Sequence, residues 1–224
     1  MTIQILSRVG RSLCWGVMLA GCPSLAACGD DRPGAESDAS IAVAAGTNMD
    51  SVAASAKRLG DDRRMRGDTV PMDVSALQAM LPSMPDGYEA DGAAGGTASR
   101  AGGFGVTEVR QKFAGIPVPN VVQPRIEVAI ADMGSSQIGV SMIAERMLAG
   151  VPAEDTEQRV RTRKLSIPYT WLSEEYYPQS HTAKLTAITR FRYIITVTAQ
   201  AQPGDPTRML ADMVAQIATS FNGM

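Results

Sequence analysis

The best strand pattern in the chain is the alternation over Lys184 to Ala199. Leu185, Ala187, Phe191, Tyr193, Ile195 and Val197 fall on one side, and Thr186, Arg190, Arg192, Thr196 and Thr198 on the other. A period of two predicts a strand with one buried and one solvated face. Its length predicts a bent strand that pairs back across a turn at Tyr177-Pro178-Gln179-Ser180. Three weaker strands precede it. Val106 to Phe113 alternates moderately, and Arg125 to Met133 places Ile126, Val128 and Ile130 together. The third sets Leu165, Ile167, Tyr169 and Trp171 against Lys164, Ser166 and Thr170.

Helical spacing appears near the C-terminus. Met209, Leu210, Met213, Val214, Ile217, Ala218 and Phe221 form one apolar stripe, with Asp205 as cap, Pro206 in the first turn and Gly223 at the end. A second helix is predicted from Ser135 or Ser136 to about Ala149, where Gly150 and Pro152 stop it. A short one, Val74 to Leu81, is capped by Asp73 and ended by Pro82. Pro85-Asp86-Gly87 reads as a turn, and the glycine-rich stretch Gly92 to Gly105 as a mobile loop or wide hairpin end. Together these predict an α+β fold: a mainly antiparallel sheet with helices packed on one face, over residues 70–224.

The N-terminal portion has a different composition. Arg8 and Arg11 precede a short apolar run from Leu13 to about Gly21, too short for the roughly 20 residues that span a bilayer. Leu25-Ala26-Ala27-Cys28 closes the segment, followed by Gly29-Asp30-Asp31. That layout resembles the lipobox of bacterial lipoproteins, in which a leucine and two small residues precede a cysteine that becomes the first residue of the mature chain. The resemblance implies a signal peptide over 1–27 and a diacylglycerol on the Cys28 thiol. Leu19-Ala20-Gly21-Cys22 is a second such tetrad, so Cys22 is the alternative site, and ordinary cleavage near Ala27 is a third reading. Residues 28–69 read as a flexible tether rich in Ala, Ser, Gly and acids. Val52, Ala56 and Leu59 within it share a thin apolar face, which allows a marginal helix. The arginines that follow, Arg58, Arg63, Arg64 and Arg66, alternate with aspartates and read as a solvated segment.

The three cysteines, Cys14, Cys22 and Cys28, all lie in or at the end of the predicted signal. A thiol nucleophile or cysteine-ligated zinc in the folded part is thereby excluded. With 21 basic against 23 acidic residues, the chain has no net positive charge to drive nucleic-acid binding. His181 is the one histidine. A Ser-His-Asp hydrolase would need it as base, but it sits in a polar turn and no Gly-x-Ser-x-Gly elbow is present. Glu174 and Glu175 are adjacent, so on a strand they face opposite ways and read as solvated acids at its end. Gly103-x-Gly105 lacks the rest of a dinucleotide fingerprint. Neither a catalytic residue, a metal site nor a cofactor is assigned.

One candidate surface feature is the set Tyr169, Trp171, Tyr176 and Tyr177, rings suited to a peptide, a glycan or a partner protein; the other reading is that two of these rings are simply core. The opening Leu81-Pro82 and Pro85-Asp86-Gly87-Tyr88, with the terminal strand-then-helix, resembles the PsbP/Mog1-type α+β sandwich, which implies fold and not activity. The expectation is a lipid-anchored cell-envelope protein. Its partners are the membrane, through the covalent lipid, and an envelope protein or glycan, with no nucleic acid. Gly29, in place of an aspartate after Cys28, implies outer-membrane placement facing the periplasm. The alternative is a periplasmic hydrolase acting on an envelope polymer or small ester.

Overall fold

The computed structural model describes residues 49–101, 104–134, 136, 140, 141, 143, 144, 147 and 153–222. Cys22, Cys28 and the predicted signal peptide lie outside the described residues, as does Ser135. The described part opens with helix α1 (Met49–Met65) and the short α2 (Val74–Gln78). Strands follow: β1 (Tyr88–Ala90), β2 (Gly95–Ala101), β3 (Phe104–Gly115), β4 (Arg125–Asp132), β5 (Ala153–Glu154), β6 (Arg159–Lys164), β7 (Thr170–Tyr177), β8 (Thr182–Thr189) and β9 (Tyr193–Gln200). Helix α3 (Thr207–Ser220) comes last. All pairings are antiparallel, in the order β1-β3-β4-β9-β8-β7-β6-β5, with β2 also on β3. The antiparallel α+β class expected from the alternation is therefore present.

The long C-terminal strand is two strands. β8 and β9 pair as a hairpin with Thr189 opposite Tyr193, around a turn at Arg190-Phe191-Arg192. Arg190 and Phe191 both have positive φ (53° and 49°). Such angles cost non-glycine residues energy unless the surroundings enforce them. Here the Phe191 ring is buried against Trp171, centroids 4.9 Å apart. The guanidinium of Arg190 donates to the carbonyl of Phe221 at 2.9 Å. Packing on both sides thus fixes a turn that carries none of the usual turn residues.

The third predicted strand is also displaced. Leu165 to Tyr169 forms the connection between β6 and β7, with Tyr169 at φ 54°. Leu165 N–H donates to the Thr170 carbonyl, closing it. The stretch Gly92 to Gly105 is not a loop throughout, since β2 lies within it and pairs with β3 from Gly95 to Ala101. Glycine suits this strand because a Cβ on Gly96 would sit 2.3 Å from Val74 Cγ1 of α2. The α2 helix ends at Gln78, three residues earlier than expected, and Asp73 makes no side-chain cap bond.

Helices cover both faces of the sheet, a correction to the expectation of one. On the first face Leu77 of α2 and Leu210, Met213, Val214, Ile217 and Ala218 of α3 bury the inward residues of β3, β4, β8 and β9. Phe221 stacks on Tyr193 with centroids 3.9 Å apart. Trp171 and Ile188 are cross-strand partners on the opposite face, where a second, smaller core forms. It joins Ala56 of α1 with the helical residues Val140, Ala144 and Met147. The described helical residues Val140, Ala144 and Met147, which fall within the helix predicted to about Ala149, therefore pack on the face away from α3.

This second core also moves the domain boundary. Helix α1 lies before residue 70, yet Ala56 is buried with Ile188 and Phe191. Arg63 is buried rather than solvated, and donates to the carbonyls of Arg190 (2.8 Å) and Phe191 (3.3 Å). Burial, then the like charge of Arg192, lowers its pKa from the ordinary arginine value. Two backbone acceptors compensate the cost of burying a cation there.

Asp205 serves α3 much as expected, one residue further out. The helix starts at Thr207, whose N–H donates to Asp205 Oδ1 at 2.9 Å, and Arg159 donates to Oδ2 at 2.6 Å. Burial would raise the Asp205 pKa, but these bonds outweigh it and hold the carboxyl below its usual 3.8. A depressed carboxyl pKa stabilises the fold above the unfolded value and loses that contribution as pH falls through the folded one. Asp205→Asn should therefore be less stable than the parent near neutrality. In urea titrations the difference should begin to shrink as pH drops below about 3.8 and vanish only once pH has fallen below the lower folded value. A difference that persists unchanged into acid would contradict the linkage.

Candidate functional site

The four predicted aromatic rings do not form one patch. Tyr169 is in the β6–β7 turn and exposed. Trp171 is half-buried in the second core, on Phe191. Tyr176 belongs to the first core, its hydroxyl donating to the Gly204 carbonyl at 3.2 Å, with the Arg159 guanidinium 5.2 Å from its ring centre. Trp171 and Tyr176 stand on opposite faces of β7, about 17 Å apart along the strand at the usual rise per residue. Tyr177 is half-buried beside Glu175. Burial, then the Glu175 charge, pushes its phenol up. The shared-face reading failed because Tyr169 is a turn residue, which breaks the alternation between it and Trp171.

The residues weighed for catalysis are also dispersed. His181 is exposed in the β7–β8 turn, at φ 50°, and its imidazole bonds to no described serine or carboxylate. Glu174 is not a solvated acid. It is buried in mid-strand and accepts from Arg163 at 2.7 and 3.0 Å. Glu175 faces the other way, opposite Lys184. The arginines of β6 all have carboxylate partners: Arg159 with Asp205, Arg161 with Glu154, and Arg163 with Glu174. Among the described residues no group of three or more His, Cys, Asp or Glu is placed to hold a metal ion.

The strongest polar constellation is at the β8–β9 turn. Arg192 Nε and Nη2 donate to Asp132 Oδ1 and Oδ2 at 2.7 and 2.9 Å, a bidentate pair with both groups buried. The same carboxylate accepts from the N–H groups of Met72 and Gly134, each at 2.8 Å. The guanidinium goes on to Asp68 Oδ1 (2.6 Å) and the Val70 carbonyl (3.0 Å). Burial alone would lower the Arg192 pKa. The bonds and charge of Asp132, then Asp68, outweigh it and raise the value, so Arg192 stays charged. With its polar atoms satisfied, this cluster works as a latch. It holds the segment Asp68 to Met72, just after α1, against the ends of β4 and β9.

The opposite end of the sheet carries the most unusual surface. There the β3–β4 connection, residues 116–124, presents Ile116, Val118, Val121 and Val122, each more than half exposed. Its ends are tied by Gly115 N–H to the Pro124 carbonyl (2.8 Å) and by Gln123 Nε2 to the Gly115 carbonyl (2.8 Å). Val121 N–H donates to the Val118 carbonyl across Pro119 and Asn120, with Asn120 at φ 61°. That is the residue pattern of a type II turn. Alternation and helix spacing do not register such a segment. The signal for it is an uncharged nine-residue run holding three prolines between two strands.

A shallow cavity of about 170 Å³ opens near this end, lined by Asp91, Lys112, Arg125, Glu127, Thr198 and Gln200 among others. Its charges are mixed and its apolar lining is limited to Phe113 and Ile126, unlike the predominantly apolar lining of a small-molecule site. None of the described helices is long and apolar enough to cross a membrane. Comparison with protein-family models, with curated proteins and with solved structures finds no match.

Proposed function

We propose that this chain is a lipid-anchored protein of the cell envelope whose α+β domain is a non-enzymatic binding or scaffolding module. The anchor is the Cys28 thiol, with Cys22 as the alternative, and Gly29 favours the outer membrane with the domain facing the periplasm. The paired tetrads after a short apolar run support the anchor. Binding is supported by one observation above the others: four exposed aliphatic side chains on a loop whose backbone is tied in place. Soluble proteins seldom leave apolar groups clustered on the surface without a partner.

Metabolic labelling with a fatty acid in the native host tests the anchor. Cys28→Ser should abolish labelling and leave unprocessed or mislocalised precursor. Cys22→Ser should leave an acylated, membrane-bound chain. The opposite pattern moves the anchor to Cys22, and an unlabelled parent refutes lipidation.

A further inference from the structure

We propose that the β3–β4 loop inserts its aliphatic tip into the interfacial region of a bilayer, giving the domain a second membrane contact besides its N-terminal anchor. The proposal rests on the anchored reading only for bringing the domain to a bilayer.

The chemistry of the tip favours lipid over protein. Ile116, Val118, Val121 and Val122 are 59%, 56%, 60% and 76% exposed, and Met84, in the turn leading to β1, is 54% exposed. That turn adjoins the loop, because Ile116 N–H donates to the Gly87 carbonyl at 3.2 Å. Energetic centres of protein interfaces are rich in Trp, Tyr and Arg, with Val under-represented. This tip holds no Trp, Tyr or Arg; it is apolar apart from Asn120 at the turn and Gln123, whose amide bonds back to the Gly115 carbonyl. It is the connection of a hairpin at the end of the sheet.

The backbone limits how deep the tip can go. Unpaired N–H groups are what make irregular chain expensive in lipid. Pro117, Pro119 and Pro124 have no N–H to desolvate, and those of Ile116 and Val121 are bonded within the fold, which leaves those of Val118, Asn120, Val122 and Gln123 to the hydrated interfacial region. The tie between Gly115 and Pro124 fixes the loop's base, so little ordering is required on insertion. Lys112 and Arg125 flank the loop, but Asp91 and Glu127 stand beside them. Attraction to anionic headgroups is therefore not the driving force; burial of the aliphatic side chains is.

The full chain, purified from host membranes and reconstituted in phosphatidylethanolamine–phosphatidylglycerol vesicles, can be photolabelled with a lipid-dissolved carbene precursor. Mass spectrometry then maps the adducts. Adducts on residues 116–124 are expected, and their loss in Val118→Asp/Val122→Asp, with the thermal midpoint unchanged. Adducts confined to residues before Met49 would overturn the proposal, as would a double variant that keeps its loop adducts. Host-membrane cross-links from residues 116–124 to a protein, with no lipid-probe adduct there, would also overturn it and assign the tip to a protein partner. Loop adducts on a chain that carries no acyl group would sustain this proposal and defeat only the anchor.

Discussion

Ile217→Asp should remove most of the folded population of the domain. Ile217 is fully buried in α3, among the residues that cover β8 and β9. The arginine of α3, Arg208, is exposed more than two turns from Ile217, Arg190 is held on the Phe221 carbonyl, and Arg192 is already engaged by Asp132 and Asp68. Burying an unpaired charge costs several kcal/mol, against a total stability of about 5–15 kcal/mol. Asp212, exposed on the other side of the same helix, is the control. Asp212→Ala should change stability by less than about 0.5 kcal/mol. Circular dichroism during urea unfolding measures both, and equal losses would show that α3 does not pack as described.

The second large effect is at the latch. Asp132→Ala strips Arg192 of its bidentate partner and leaves the N–H groups of Met72 and Gly134 without their acceptor. Removing one member of a buried ion pair typically costs about 3–5 kcal/mol. Arg192 retains Asp68 and the Val70 carbonyl, which favours the lower part of that range. Replacing both partners should cost less than the sum of the single losses, because Asp132→Ala/Arg192→Met leaves no buried orphaned charge; Asp68, which also loses Arg192, is half exposed. A double-mutant cycle by urea unfolding reads the coupling directly. Additive losses would contradict a buried, mutually dependent pair. Because Arg192 also grips Asp68 and Val70, Asp132→Ala should speed proteolysis after α1 more than it speeds cleavage elsewhere.

Much of the fold was legible because apolar periodicity is written into long elements. The α3 stripe from Leu210 to Phe221 is buried as its spacing implied. Ile126, Val128 and Ile130 share the core face of β4. The hairpin between β8 and β9 was hidden for a geometric reason. Its register pairs Thr189 with Tyr193 and Ala183 with Ala199, so odd-numbered residues face the core on both strands. An alternation that keeps its phase through a turn cannot reveal that turn. Arg190-Phe191-Arg192 contains no Gly, Asn or Pro to mark it.

Other features depend on tertiary contacts that local pattern does not carry. The apolar face of α1 is thin, and burial of Ala56 relies on Ile188 and Phe191, more than a hundred residues away. Arg63 reads as a solvated charge until the carbonyls of Arg190 and Phe191 are placed beside it. β2 is exposed along its whole length and rich in small residues, so it forms through pairing with β3 rather than through a buried face. Of the candidate binding residues, Tyr169 alone is an exposed ring, while Trp171 and Tyr176 serve the two cores. The aliphatic loop carries no aromatic ring, charge or nucleophile, and valine and proline between two strands do not by themselves mark a site in sequence.

The mass of the N-terminal peptide of the protein recovered from host membranes reads the covalent anchor itself. The expected peptide begins at Cys28 and carries a diacylglycerol on its sulfur. A peptide beginning at Cys22 with the same modification would retain the anchor and move it by six residues. An N-terminus with neither cysteine acylated would contradict the central claim.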